Sequence, residues 1–175
     1  MKKLTMIGIL ISAAALIMTA GCGGGGGGTP PPPPQPTTAV VTILTQGTPS
    51  VSPIGGIDIT LNLPPGVTVK ATLEGLKLVT DPGVVTASGD AAGAIVIATY
   101  TAGTGGAPNK VFINVAKDAG FATGEFVTIN ADIAAGTFPK ASDFSVEPLS
   151  FIPYDLNGAT SIITGLTPGF TVAIQ

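Results

Sequence analysis

The chain has 175 residues, with seven lysines against ten acidic residues, and neither arginine nor histidine. A net charge of −3 with no basic cluster leaves no footprint for phosphate contacts, which excludes nucleic acid as a partner. The missing histidine and the single cysteine remove the commonest general base, the usual activated serine triad and thiolate metal sites.

The first segment reads as an address. Lys2 and Lys3 precede an apolar stretch from Leu4 to Met18, and Thr19-Ala20-Gly21 leads into Cys22. The stretch spans about 15 residues, short of the ~20 of a membrane-crossing helix, and the layout is that of a secretory signal peptide. It resembles a bacterial lipoprotein signal, with Ala20 and Gly21 before the cut and Thr19 where a larger aliphatic is usual. The resemblance implies cleavage between Gly21 and Cys22, removal of residues 1–21 and acylation of Cys22, and two or more acyl chains anchor a protein stably. An exported protein with one cysteine cannot form an internal disulfide, so attachment also accounts for that residue. By the same resemblance, Gly23 stands where some bacteria place an aspartate for inner-membrane retention. The expected location is therefore the cell envelope, at the outer rather than the inner membrane.

Residues 22–38 read as a tether. Gly23 to Gly28 offer no side chains to pack, and Pro30 to Pro36, broken only by Gln35, favour an extended, semi-rigid spacer. Together they would lift the folded part about 30–40 Å from the membrane.

Residues 39–175 are the length of one domain and alternate with period two rather than 3.6. In Ile57–Leu63 the apolar residues Ile57, Ile59, Leu61 and Leu63 share one side; Val111, Ile113 and Val115 do so in Lys110–Ala116. In Glu125–Ile133, Val127, Ile129, Ala131 and Ile133 point inward and Thr128, Asn130 and Asp132 outward. Further strands are expected at 40–45, 67–73, 76–79, 84–88, 95–101, 144–146, 161–164 and 170–174. Breaks are expected at Pro64-Pro65-Gly66, Asp81-Pro82-Gly83, 103–108, Asn157-Gly158 and Pro168-Gly169, with a helical turn between Ala134 and Asp143. Short strands at this spacing predict an all-β antiparallel sandwich, with a barrel as the second choice. The run Leu63–Val69 echoes Leu166–Val172, each reading as a tight turn before a strand.

Gly120-Phe121-Ala122-Thr123 followed by Gly124-Glu125 and the alternating strand to Ile133 resembles the late strand of cohesin-type domains. The Ile57–Leu63 strand, the turn to Val67-Thr68-Val69, and the closing Asp155-Leu156-Asn157-Gly158 and Ile163-Thr164-Gly165-Leu166 are similar to parts of the same family. The resemblance implies a jelly-roll sandwich of about nine strands, as in cohesins and some carbohydrate-binding modules. It also implies non-catalytic recognition of a protein or glycan at the envelope. No dockerin-contact motif carries over residue by residue.

Asp132, Asp143, Glu147 and Asp155 are the nearest grouping of acids, and they read as strand-face and loop residues rather than a glycosidase pair. Asp155-Leu156-Asn157-Gly158 has the opening of a calcium loop without its later acids, so a turn is the reading and calcium the alternative. Trp is absent, leaving Tyr100 and Tyr154 as exposed platforms for a ligand, with Asp155 beside them. The seven phenylalanines read as core or edge packing. The expectation is a non-enzymatic, membrane-displayed binding domain without a cofactor. A carbohydrate-binding module and a structural or adhesive envelope protein are the alternatives. An exposed face carrying Tyr or Asp would favour binding, and one of uniformly small residues a structural role.

Overall fold

The computed structural model describes residues 34–175; the leader, Cys22 and the glycine run lie outside them. Alternation in the sequence becomes two antiparallel sheets facing each other across one core. The β1 sheet has the order β12–β1–β9, with the short β3 and β6 both on the far edge of β9. Its strands are β1 (Thr38–Gly47), β3 (Val67–Thr68), β6 (Val85–Ala87), β9 (Glu125–Ile133) and β12 (Leu166–Ile174). The β2 sheet runs β4–β5–β7–β8–β2, with β10 and β11 side by side on the free edge of β2. It comprises β2 (Ile54–Leu63), β4 (Ala71–Glu74), β5 (Lys77–Thr80), β7 (Ile95–Thr101), β8 (Asn109–Phe121), β10 (Ser145–Val146) and β11 (Ile152–Tyr154).

The core is built by the residues the pattern assigns to it. Val41 and Ile43 of β1, Ile57 to Leu63 at alternate positions of β2, Val111, Ile113 and Val115 of β8, and Val127 and Ile129 of β9 are all fully buried. Fully burying one such side chain contributes about 1.5–3 kcal/mol. Phe126 breaks the alternation, since it and Val127 are both fully buried; the 3-10 turn Gly89–Ala91 packs on β9, and the Ser88 amide donates to the Phe126 carbonyl at 3.1 Å. Residues 34–175 form a compact unit with two paired sheets and a hydrophobic core of their own, which is what an autonomous folding unit requires.

The Gly-Glu pair that opens β9 has a local cause. Gly124 has φ of 144°, a conformation L side chains rarely adopt, and Thr45 holds it from both sides. The Thr45 amide donates to the Gly124 carbonyl at 2.8 Å, and the Gly124 amide donates to the buried Thr45 hydroxyl at 2.9 Å. The pairing of β1 with β9 shifts register at this point, between Ile43 and Leu44.

Five expectations change. The run 67–73 is two strands, because Val67–Thr68 pair with β9 while Ala71–Glu74 pair with β5 in the other sheet; the chain turns a corner between the sheets at Val69-Lys70. Pro168-Gly169 is not a break. It lies inside β12, opposite Thr45 and Leu44, and an edge strand tolerates a residue without an amide hydrogen. The echo between 63–69 and 166–172 is thus one of sequence alone. Residues 161–164 form no strand and contribute only a bridge between Ile162 and Tyr154. In their place Ile152–Tyr154 pairs with β2, hidden in the sequence by Pro153 at its centre. The expected helical turn narrows to a 3-10 turn at Ala141–Asp143.

The end of the tether belongs to the fold as well. The Thr37 amide donates to the Gln175 carbonyl at 2.7 Å, the Thr37 carbonyl accepts from Ile133 at 2.9 Å, and the Gln35 side chain donates to the Ala134 carbonyl at 3.4 Å.

Candidate recognition face on the β2 sheet

Because strand side chains alternate, each sheet presents one outer face, and the two differ in chemistry. The β1 sheet turns out Thr42, Thr86, Thr128, Asn130, Asp132, Thr167, Thr171 and Ala173, mostly small and polar, with Val40 and Leu44 as half-buried apolar members. The β2 sheet turns out a mixed set whose neighbours are set by register. Ile152, Asp58, Asn114 and Ile97 lie in one row across β11, β2, β8 and β7. Tyr154, Gly56, Ala116 and Ile95 form the row on one side of it. On the other side run Thr60, Phe112, Thr99 and Val79.

Three large apolar side chains on this face remain in solvent: Ile95 is 67% exposed, Ile97 57% and Phe112 42%. Ile95 and Ile97 are two residues apart on β7, and Phe112 is the diagonal neighbour of Ile97, within reach of an aromatic ring. Together they form one apolar strip rather than scattered residues.

Beside the strip sits a polar knot. The Asn114 amide nitrogen donates to the Asp58 carboxylate and, at 3.0 Å, to the Tyr154 hydroxyl. Tyr154 reaches Asn114 by lying over Gly56, where any side chain would collide, since its Cβ would overlap the ring. An aromatic laid over a glycine on the neighbouring strand is a known device for fixing register. Lys110 and Glu147 close the lower part of the face with an ion pair at 2.7 Å, half-exposed and thus of small energetic weight.

The sequence-derived candidates fare unevenly. Tyr154 is 9% exposed, so it is a strut of the face and not an open platform. Tyr100 points to the inner side of the sheet, where it packs against the core with only partial exposure, and burial raises its pKa. Asp155 belongs to a self-satisfied turn. Its carboxylate accepts from the Asn157 amide at 2.7 Å, the Asn157 side chain at 3.0 Å and the Ser161 hydroxyl at 2.7 Å. The Ser161 hydroxyl, followed by the Asn157 amide, holds its pKa below the ordinary carboxylate value. With both oxygens so engaged, the segment 155–158 has the chemistry of a turn. Cys22 and Gly21 lie outside the described residues.

No known family model, curated protein or solved structure matches this chain.

The four acids that are near in sequence are not brought together, and among the described residues no three acidic or thiol side chains converge. Asp132 sits on β9, Asp143 caps the turn 141–143 through the Lys140 amide at 2.8 Å, Glu147 pairs with Lys110, and Asp155 serves its loop. Of the phenylalanines, Phe121, Phe126 and Phe144 are core. Phe112 and Phe138 are exposed, against the expectation of packing. Phe138 flanks a cleft of about 360 Å³ lined with Pro64, Pro65, Pro108 and Pro139. Residues of the strip carried a sequence signal. In Ile95-Val96-Ile97 the apolar residues fall on both faces, which marks a strand whose outer side is not polar.

Proposed function

We propose that this protein is an exported, lipid-tethered envelope protein whose sandwich recognises a protein partner, without catalysis, through the outer face of the β2 sheet. The observation that carries the recognition half is the strip Ile95–Ile97–Phe112 beside the Asp58–Asn114–Tyr154 knot. Exposed apolar side chains grouped on one flat face and bordered by oriented polar groups are the composition of a protein interface. The outer face of the β1 sheet, rich in threonine and with its apolar Val40 and Leu44 half-buried, supplies the contrast. The burial of Tyr154 and the inward placement of Tyr100 leave a glycan no aromatic platform among the residues singled out for that role. Dispersed acids and the lack of histidine support a non-catalytic reading.

The display half rests on sequence: the leader, Cys22 and the Gly/Pro tether. The Gly124-Glu125 strand opening and the sandwich agree with the cohesin-like resemblance, in which a flat sheet face carries the partner. Two experiments test the reading. Mass spectrometry of the membrane-extracted protein should find an acylated Cys22 at the N-terminus, and Cys22→Ser should release the protein from membranes; an unmodified cysteine refutes the anchor. Residues 34–175, immobilised, should capture an envelope protein that the Ile97→Asp, Phe112→Asp form does not hold.

A further inference from the structure

A sheet edge is a row of unused hydrogen-bonding groups, and natural sheets protect long ones. The edges of this sandwich are unequal. On the β2 sheet, β4 is four residues long and ends on Glu74 opposite Lys77, while β10 and β11 have two and three residues. On the β1 sheet, β3 and β6 have two and three residues. The remaining edge, β12, is nine residues long and carries no charged side chain.

Register tells which groups of β12 face outward. The amides and carbonyls of Thr38 and Gln175 bond each other at 3.0 and 2.9 Å. Alternation then gives the backbone groups of Thr167, Gly169, Thr171 and Ala173 to β1. The amides of Phe170, Val172 and Ile174 point the other way, and among the described residues no loop or side chain bonds them. Pro168 shares that outward set, where its missing N–H costs the sheet nothing. The side chains of Phe170, Val172 and Ile174 lean on the core yet stay only partly buried, and the turn Ala141–Asp143 lies beside the strand without bonding its outward amides.

We propose that β12 pairs antiparallel with β12 of a second copy of this chain, about a two-fold axis at Val172, continuing the β1 sheet across both molecules. The strand is self-complementary in that register. Val172 meets Val172, and Phe170 meets Ile174 on the inner side, which covers the half-buried apolar row. On the outer side Thr171 meets Ala173, two small uncharged residues. About six inter-strand hydrogen bonds form, from the outward groups of residues 170, 172 and 174 in each copy. Pro168 falls outside the paired stretch, which selects this register over one centred on Phe170, where Pro168 would face Val172 and forfeit a bond. The absence of charge means no like charges oppose each other, so a copy of the same strand fits as well as any foreign one. Closed two-fold pairing of one patch with itself is also the commonest oligomer geometry. So short an interface makes a weak dimer, populated at high local concentration such as tethering to a surface provides.

The test is sedimentation velocity on residues 34–175 up to about 0.5 mM, with amide exchange measured in parallel. A monomer–dimer equilibrium is expected, with exchange at Phe170, Val172 and Ile174 slowing as concentration rises. Thr171 and Ala173 are exposed, so T171K/A173K and T171E/A173E should fold with an unchanged circular dichroism spectrum. Each alone should be monomeric, because like charges then face each other, and mixing the two should restore a one-to-one dimer. A wild type that stays monomeric, with concentration-independent exchange at these amides, overturns the proposal and leaves the edge to a strand from another protein. A dimer unaffected by either pair of substitutions overturns it too.

Discussion

Replacing Asn114 with alanine is the sharpest test of how the candidate face is held. The side chain is half-buried on β8 and its amide donates to two partners on different strands, Asp58 on β2 and Tyr154 on β11. Truncation leaves the hydroxyl of the buried Tyr154 without its donor, whereas Asp58 remains partly exposed and can turn to water. A neutral bond of this kind contributes about 0.5–1.5 kcal/mol, and one to a carboxylate about 1.5–3, the latter reduced here by solvent. The sum is a loss of about 1–3 kcal/mol, roughly a 5- to 150-fold shift in the unfolding equilibrium. Urea denaturation of residues 34–175 at pH 7, followed by circular dichroism, measures it. A double-mutant cycle with Tyr154→Phe should give a coupling of about 0.5–1.5 kcal/mol, since both substitutions remove the same bond. If Asn114→Ala shifts stability by less than about 0.3 kcal/mol, or the two losses simply add, then the knot does not hold the face and the reasoning fails.

Three other outcomes are set by the geometry. Gly56→Ala places a methyl against the Tyr154 ring and should cost about 1–3 kcal/mol in the same denaturation assay; a neutral result would mean the ring moves freely off β2. Leu149 has φ of 64° and is 97% exposed, so Leu149→Asn, which suits that conformation better, should stabilise the domain by about 0.5–1 kcal/mol. Asp155 has a folded-state pKa below its unfolded one. Its contribution is present above the unfolded value of about 3.8 and is lost as pH falls through the folded pKa. Asp155→Asn should therefore lower stability at neutral pH and flatten the acid limb of the stability–pH curve, and an unchanged limb would contradict the assignment.

Much of the fold was legible in the sequence because its strands are half-buried. Ile57–Leu63 and Glu125–Ile133 alternate cleanly, and β7 and β9 keep their expected bounds, Ile95–Thr101 and Glu125–Ile133. What misled was proline. Pro168 reads as a break and no strand is expected around Pro153, because sequence does not reveal which backbone groups of a strand lack a partner; among the described residues β12 pairs along one edge only, and the other edge of β11 meets only the bridge at Ile162. The corner at Val69-Lys70 was hidden for a related reason, since a continuous run does not show that its halves join different sheets. The candidate site was less legible. Tyr154 was singled out as a platform, but the bare backbone of Gly56 lets its ring lie down. Phe112 was assigned to packing, though its position on β8 between inward Val111 and Ile113 places it on the outer face. Only pairing across β7, β8 and β2 turned Ile95, Ile97 and Phe112 into one strip.

We propose that the outer face of the β2 sheet, and not that of the β1 sheet, meets the partner. This is tested most directly by quantitative capture from envelope extract on three forms of residues 34–175: wild type, Ile97→Asp with Phe112→Asp, and Val40→Asp with Thr42→Asp. Each form is first checked for an unchanged circular dichroism spectrum. A partner held by wild type and by the β1-sheet variant, and reduced at least about tenfold on the β2-sheet variant, equivalent to about 1.4 kcal/mol, is the predicted result. Equal capture by the two variants, or loss confined to the β1-sheet variant, would contradict it.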